Sequence, residues 1–295
     1  MLVDCHVHLN NYKPRPVPVE ESLQQLLVRM RKYRIDHALV LSSYVVNQDR
    51  LRADQLLDLV AAHPELSVVE GVTFEDGRPA GLEGIRARLE AGRTVGLKMY
   101  PGYLPFYPED PVCEPVYDLA MEFGVPVMFH AGDTYARGAK VKYSHPLHLD
   151  DVAVDHPDMA LIVCHLGNPW FRDAAEVIYK NENVYADISG LVLEGFEANL
   201  ERWLVEEVRD IITYAGDPKF LLYGTDWPLV RMGPYLNFVR GLGLPEKDLE
   251  RMLWRNANDL FGLGLSPGRP PRRKPGRRAP GGKPRPRPRT RRRRR

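Results

Sequence analysis

Eight short apolar runs, each closed by a glycine, a proline or a polar cluster, recur along this chain, and their character restricts the fold more than any other feature. They occupy residues 2–8, 37–42, 67–74, 95–100, 125–130, 160–165, 184–188 and 220–225. Most are continuous, as in HALVL, VPVMF, ALIVC and KFLLY, rather than alternating polar with apolar. A strand wetted on one face alternates, whereas a continuous run suits a strand buried on both faces, the condition of a parallel sheet covered by helices. Helical periodicities lie between the runs. Over residues 20–33, Leu23, Leu26, Leu27 and Met30 recur at helical spacing, and two glutamates occupy the first turn, where they complement the positive end of the helix dipole. Residues 53–62, 82–91, 115–123, 199–214 and 246–260 read the same way. Strand and helix alternating in this manner is the grammar of an α/β fold of the (β/α)8 TIM-barrel type, although an open doubly wound sheet shares it.

The placement of polar residues separates the two. The first run ends D-C-H-V-H, and strand alternation sends His6 and His8 to the same side. Taken alone, two histidines bonded to backbone groups would satisfy that pattern. The fifth run, VPVMFHAGD, and the sixth, ALIVCHLGN, end in His130 and His165, and the eighth, FLLYGTDWP, ends in Asp226. All five residues sit at C-terminal strand ends, the face that carries the active site of a barrel, and an arbitrary sheet offers no reason for that coincidence. Imidazole nitrogen with carboxylate oxygen suits zinc, manganese or iron better than calcium. A divalent-cation site built from His6, His8, His130, His165 and Asp226 is therefore expected at the barrel mouth.

With these segments the sequence resembles the amidohydrolase superfamily, specifically the amidohydrolase-2 type that includes aminocarboxymuconate semialdehyde decarboxylase. The markers are DCHVH, GLKMYPG, MFHAGD, CHLGN, VYADISG, LLYGTDWP and the closing WRNANDLFG, spread over residues 2–264. The resemblance implies that His6, His8, His130 and Asp226 are metal ligands and that His165 is a further ligand or an acid/base group. With a metal ion in place, Asp226 and His165 are the expected catalytic pair: Asp226 accepts a proton from metal-activated water and returns it to the leaving group, while His165 polarises the carbonyl or stabilises the charge that develops on it. The expected activity is hydrolysis of a small ester, amide or lactone. The alternative is a carbon–carbon lyase, the nonoxidative decarboxylation of a small aromatic or unsaturated carboxylic acid on the same site. The implied cofactor is Zn2+, with Mn2+ as the other candidate, and one ion rather than two.

Lys98, in GLKMYPG, bears on the ion count, because binuclear members of the superfamily bridge two metals with a carbamylated lysine from the fourth strand. A plain ammonium that binds a substrate carboxylate and a lysine paired with a neighbouring acid are the alternatives. Tyr100, Arg137 and Trp227 follow strand ends and join Lys98 as candidate substrate contacts, with Tyr103 beside them. The other histidines invite plainer readings: His63 and His156 precede prolines at helix ends, His37 opens the second strand, and His145 and His148 lie in the loop segment KYSHPLHLDD above the mouth.

Cys5, Cys113 and Cys164 are widely spaced and form no C-x-x-C pair, so buried packing in a reducing compartment is expected of them, without a catalytic role. No basic leader with an apolar stretch opens the chain, and no run approaches the roughly 18 apolar residues of a membrane span. A cytoplasmic enzyme with a small-molecule substrate and no membrane partner is the expectation, and the resemblance adds a homodimer. The net charge of +2 conceals a split. Residues 266–295 hold 13 Arg and 2 Lys with no acid, which leaves 26 basic against 39 acidic residues in the remainder. An acidic body argues against nucleic-acid binding by the folded domain, whereas the tail has the charge for nonspecific polyanion contacts. Composed of Pro, Gly, Arg and Lys, the tail lacks apolar surface to offset ordering entropy, so the expected organisation is a barrel over 1–264 and a disordered Arg/Pro-rich tail over 265–295.

Overall fold

The computed structural model describes residues 1–10, 17–47, 49–192 and 197–267. Eight parallel strands pair in sequential order: β1 (Val3–Val7), β2 (His37–Leu41), β3 (Leu66–Gly71), β4 (Thr94–Met99), β5 (Val127–Phe129), β6 (Leu161–Val163), β7 (Val184–Asp187) and β8 (Leu221–Leu222). The chain beyond β8 returns to β1, with Cys5 N donating to Tyr223 O (2.9 Å), Asp226 N to His6 O (2.8 Å) and His8 N to Trp227 O (2.7 Å). These bonds curl the sheet into a TIM barrel, and an order without reversal excludes the doubly wound alternative. They also tie the His6–His8 segment directly to Asp226.

The helices α1 (Val19–Tyr33), α2 (Ala53–Val60), α3 (Leu82–Glu90), α4 (Glu114–Phe123), α5 (His148–Asp155), α6 (Phe171–Lys180), α7 (Ala198–Ala215) and α8 (Met232–Gly241) surround it. In α1 the acids Glu20 and Glu21 open the helix, Arg31 and Lys32 close it, and Leu23, Leu26, Leu27 and Met30 are buried, the stripe foreseen from spacing. Each such side chain contributes roughly 1.5–3 kcal/mol by leaving water. One apolar cluster joins strand residues such as Val40, Val68, Val127 and Leu161 to the helices. A second joins Val3, Cys5, Leu41, Met128 and Cys164 to Trp254 and Phe261 of the C-terminal segment.

Three expectations are corrected. The run over 67–74 is a strand only to Gly71, and Phe74–Glu75 instead pairs antiparallel with Arg78–Pro79. The helix foreseen over 246–260 is divided by a π turn at Arg251–Arg255 into α9 (Glu246–Glu250) and α10 (Asn256–Leu260). His148 belongs to α5 rather than to a loop, its Nδ1 2.8 Å from Glu109 Oε1, and His145 packs on Trp170; neither reaches the cavity described below. His156 does cap α5, and His37 does open β2. All three cysteines are buried and unpaired. Among the described residues, no helix is long and apolar enough to cross a membrane. Leu265 is still packed in the second cluster, and the basic tail from 268 onward lies outside the described residues.

Candidate active site

The strands deliver their polar residues to one place. His6 lies in β1 and His8 just past it; Lys98 lies in β4; His130 follows β5, His165 follows β6 and Asp226 follows β8. All six line a cavity of about 130 Å³ together with Tyr44, Arg50, Tyr100, Tyr103 and Tyr135. Asp226 Oδ1 stands 3.4 Å from His8 Nε2 and 3.8 Å from His6 Nε2. His6, His8 and Asp226 thus bring one nitrogen or oxygen each to within 4.8 Å of one another, a spacing suited to a cation. His6, His165 and Asp187 form a second group of the same kind. His130 lines the cavity, its ring centroid 5.1 Å from that of His165, without joining either trio.

Backbone and carboxylate acceptors orient the imidazoles. His8 Nδ1 donates to Leu41 O (3.2 Å), His130 Nε2 to Asp133 O (2.8 Å) and His6 Nδ1 to Asp187 Oδ2 (2.8 Å). A ring that donates from one nitrogen carries a lone pair on the other while neutral. Burial keeps these rings neutral, holding His6 below and His8 and His130 well below the usual imidazole range, with His165 down at about 3. Neutral imidazoles, each with its second nitrogen bonded to an acceptor, are what a divalent cation requires of histidine, so the donor set fits the expected metal.

The carboxylates are set apart by their surroundings. Burial pushes the Asp226 carboxyl well above the usual range, with Asp187 and Asp4 adding to the rise and Lys98 opposing it. Burial raises Asp187 as well, but the His6 N–H that donates to it, followed by His165 and the Lys98 side chain, outweighs that rise and holds it well below the usual range. Lys98 is buried with Nζ 2.6 Å from Cys164 Sγ and 5.4 Å from the Tyr100 ring centroid. His165 and Asp226 adopt left-handed backbone at φ 56° and 65°, a conformation that costs a non-glycine residue on the order of 1–3 kcal/mol. Between them passes Gly190, at φ +64°, where an added Cβ would lie 2.9 Å from both Asp226 Oδ2 and His165 Nδ1.

Of the other residues singled out in the sequence, Tyr100 and Tyr103 line the cavity. Trp227 does not; it is buried in the core, and its carbonyl holds His8 N. Arg137 is exposed and outside the lining, which takes Arg50 instead. Tyr44, Arg50, Tyr135 and Asp187 were not foreseen. Asp187 had a usable signal, since it ends a strand as the other site residues do, but the three loop residues carry no periodicity that would place them over the mouth.

The TIM barrel thus gathers at its C-terminal face histidines from β1, β5 and β6 and an aspartate from β8, the donor types of a divalent-cation site. Residues 3–263 match the amidohydrolase family, and the chain belongs to it. It is accordingly an enzyme of a metal-dependent family that contains both hydrolases and decarboxylases. No curated protein matches the sequence. Among solved structures, it is similar to a probable 2-pyrone-4,6-dicarboxylic acid hydrolase from Acinetobacter baumannii with citric acid bound, at 15% identity and TM-score 0.66 over 88% of this chain and 99% of that one. It is similar also to 5-carboxyvanillate decarboxylase from Sphingomonas paucimobilis, at 15% identity and TM-score 0.66 over 88% and 98%. A third is a dihydroxybenzoic acid decarboxylase from Polaromonas sp. JS666 with bound manganese and the inhibitor 2-nitroresorcinol, at 15% identity and TM-score 0.63 over 90% and 98%. At such identities the likeness speaks for the fold.

Proposed function

We propose that this enzyme is a hydrolase of a small carbonyl compound, an ester, amide or lactone, and that His6, His8 and Asp226, completed by His130 and His165, hold one divalent cation. The observation that carries the reading is the convergence of two neutral imidazole nitrogens and one carboxylate oxygen in a buried cavity. Zinc is the first candidate and manganese the second, both suited to this donor set. Such a cation supplies Lewis acidity and lowers the pKa of water from 15.7 toward about 7. Asp226 takes the proton of the attacking water at its carboxylate and passes it to the leaving atom. The Lys98 ammonium, fixed against Cys164, attracts a substrate carboxylate or a developing oxyanion. An uncarbamylated Lys98 goes with a single ion in this reading. Tyr44, Tyr100 and Tyr103 wall the cavity against water and offer ring faces to an unsaturated substrate.

Nonoxidative decarboxylation is the second reading, favoured by the two cations Lys98 and Arg50 in an aromatic cavity, which would hold a carboxylate before it departs as carbon dioxide. Incubating the metal-loaded full chain with lactones, esters and aromatic acids in 18O-labelled water separates the two. Label in the product supports hydrolysis; release of carbon dioxide with solvent hydrogen at the vacated carbon supports the second reading. Loss of neither substrate class over a broad panel would count against both. The proposal extends to a cytoplasmic homodimer, in keeping with three unpaired buried cysteines, and to a tail that touches polyanions only nonspecifically.

A further inference from the structure

We propose that Asp187, acting directly on His6 and through Ser189 on His165, fixes the tautomers of both rings, so that each keeps its proton on Nδ1 and its lone pair on Nε2. The inference rests on the reading of this cavity as a metal site and assigns a positioning role to a residue outside the proposed ligand set. Asp187 ends β7 and is fully buried. Its Oδ2 accepts from His6 Nδ1 at 2.8 Å. Its Oδ1 accepts from Ser189 Oγ at 2.5 Å and from the backbone N–H groups of His165 and Ser189, each at 3.0 Å.

The protons can be followed one at a time. A carboxylate only accepts, so the His6 proton facing it must sit on Nδ1. The Ser189 hydroxyl has one proton, and Asp187 Oδ1 takes it. The Ser189 oxygen therefore acts as acceptor toward both rings, 3.0 Å from His6 Nδ1 and 3.0 Å from His165 Nδ1. The Ser189 carbonyl, also 3.0 Å from His165 Nδ1, can only accept as well. His165 must then carry its proton on Nδ1, like His6.

Two consequences follow for the site. Neutral His165 offers Nε2 as a ligand or a proton acceptor and cannot donate from it to a substrate carbonyl, which removes the polarising role expected of it. Asp187 also spends both oxygens on N–H and O–H donors, so the trio of His6, His165 and Asp187 is a hydrogen-bonded support and not a second cation site. The same carboxylate pins the backbone of His165 where it turns through φ 56° into Leu166 at φ 50°.

The test is nitrogen-15 histidine NMR on the metal-free full chain, with His6 and His165 assigned from His6→Gln and His165→Gln spectra, followed by Mn2+ titration of wild type and Asp187→Asn. Protonated Nδ1 on both rings is expected in wild type. In Asp187→Asn the His6 ring should shift toward the Nε2–H form, and Mn2+ affinity should fall 10- to 100-fold, the usual effect of removing a residue that orients a ligand. A wild-type spectrum with the proton on Nε2 of either ring overturns the proposal, and so does an Asp187→Asn protein with unchanged tautomers and unchanged Mn2+ affinity. If Asp187→Asn does not fold, the wild-type spectrum decides alone. If wild type shows the expected tautomers but binds no Mn2+, the positioning device stands and the metal reading fails.

Discussion

Gly190→Ala tests whether the site depends on one close backbone approach. At φ +64° an alanine pays about 1–2 kcal/mol for left-handed backbone. That alone should lower the midpoint of thermal unfolding by roughly 2–8 °C for a domain of this size. The methyl group adds a second effect, because it would stand 2.9 Å from Asp226 Oδ2 and from His165 Nδ1, closer than a Cβ tolerates, so both groups must give way. Displacements approaching 1 Å at a catalytic group cost on the order of 100-fold in rate. Gly124→Ala is the matched control: it sits at φ +58° with no atom within 4 Å of an added Cβ, so it carries the strain without the collision. Calorimetry and Mn2+ titration of both variants separate the terms. Gly190→Ala is expected to lose at least as much thermal stability as Gly124→Ala, with metal affinity lowered at least about 10-fold only in Gly190→Ala. A Gly190→Ala protein that matches Gly124→Ala in metal affinity and turnover would refute the reasoning.

Three further outcomes are expected. Lys98→Met should raise KM for an anionic substrate by about 10- to 100-fold, the worth of a charged hydrogen bond, while Arg137→Ala changes it by no more than about two-fold; steady-state kinetics decide, and equal effects would contradict the cavity assignment. Burial holds His37 at about 4 against 6.5 when exposed. The unfolded chain therefore binds the extra proton, and stability present above about pH 6.5 is lost as pH falls toward 4, by roughly 3 kcal/mol; denaturant titrations of His37→Asn should show a correspondingly shallower loss across that window. Removal of metal by a chelator should abolish turnover and Zn2+ or Mn2+ should restore it, and a stripped enzyme working at full rate would exclude the mechanism.

The barrel was legible because its strands are buried on both faces and so appear as unbroken apolar runs, and because His6, His8, His130, His165 and Asp226 lie in or just after those runs, where the folded chain brings them to one cavity. What escaped was mostly what tertiary contact decides. The segments that begin α5, α6 and α8 carry prolines and glycines, in SHPLH, GNPWF and RMGPY, and such starts look like loops until packing completes the helix. Arg50 and Tyr44 enter the site from a loop whose path over the mouth has no periodic signature, whereas the adjacent Lys98 and Tyr100 were visible at a strand end. Asp187 was present in VYADISG, but its partners lie 181 residues back in His6 and 22 back in His165, pairings that only the folded chain brings together.

Metal content per chain, measured by plasma mass spectrometry on protein purified without a metal-affinity tag, bears most directly on the central claim. About one zinc or manganese per wild-type chain, retained in Lys98→Ala and lost in Asp226→Asn, is the predicted result. A wild-type chain that takes up no divalent metal, or an Asp226→Asn chain that retains it in full, would contradict the account.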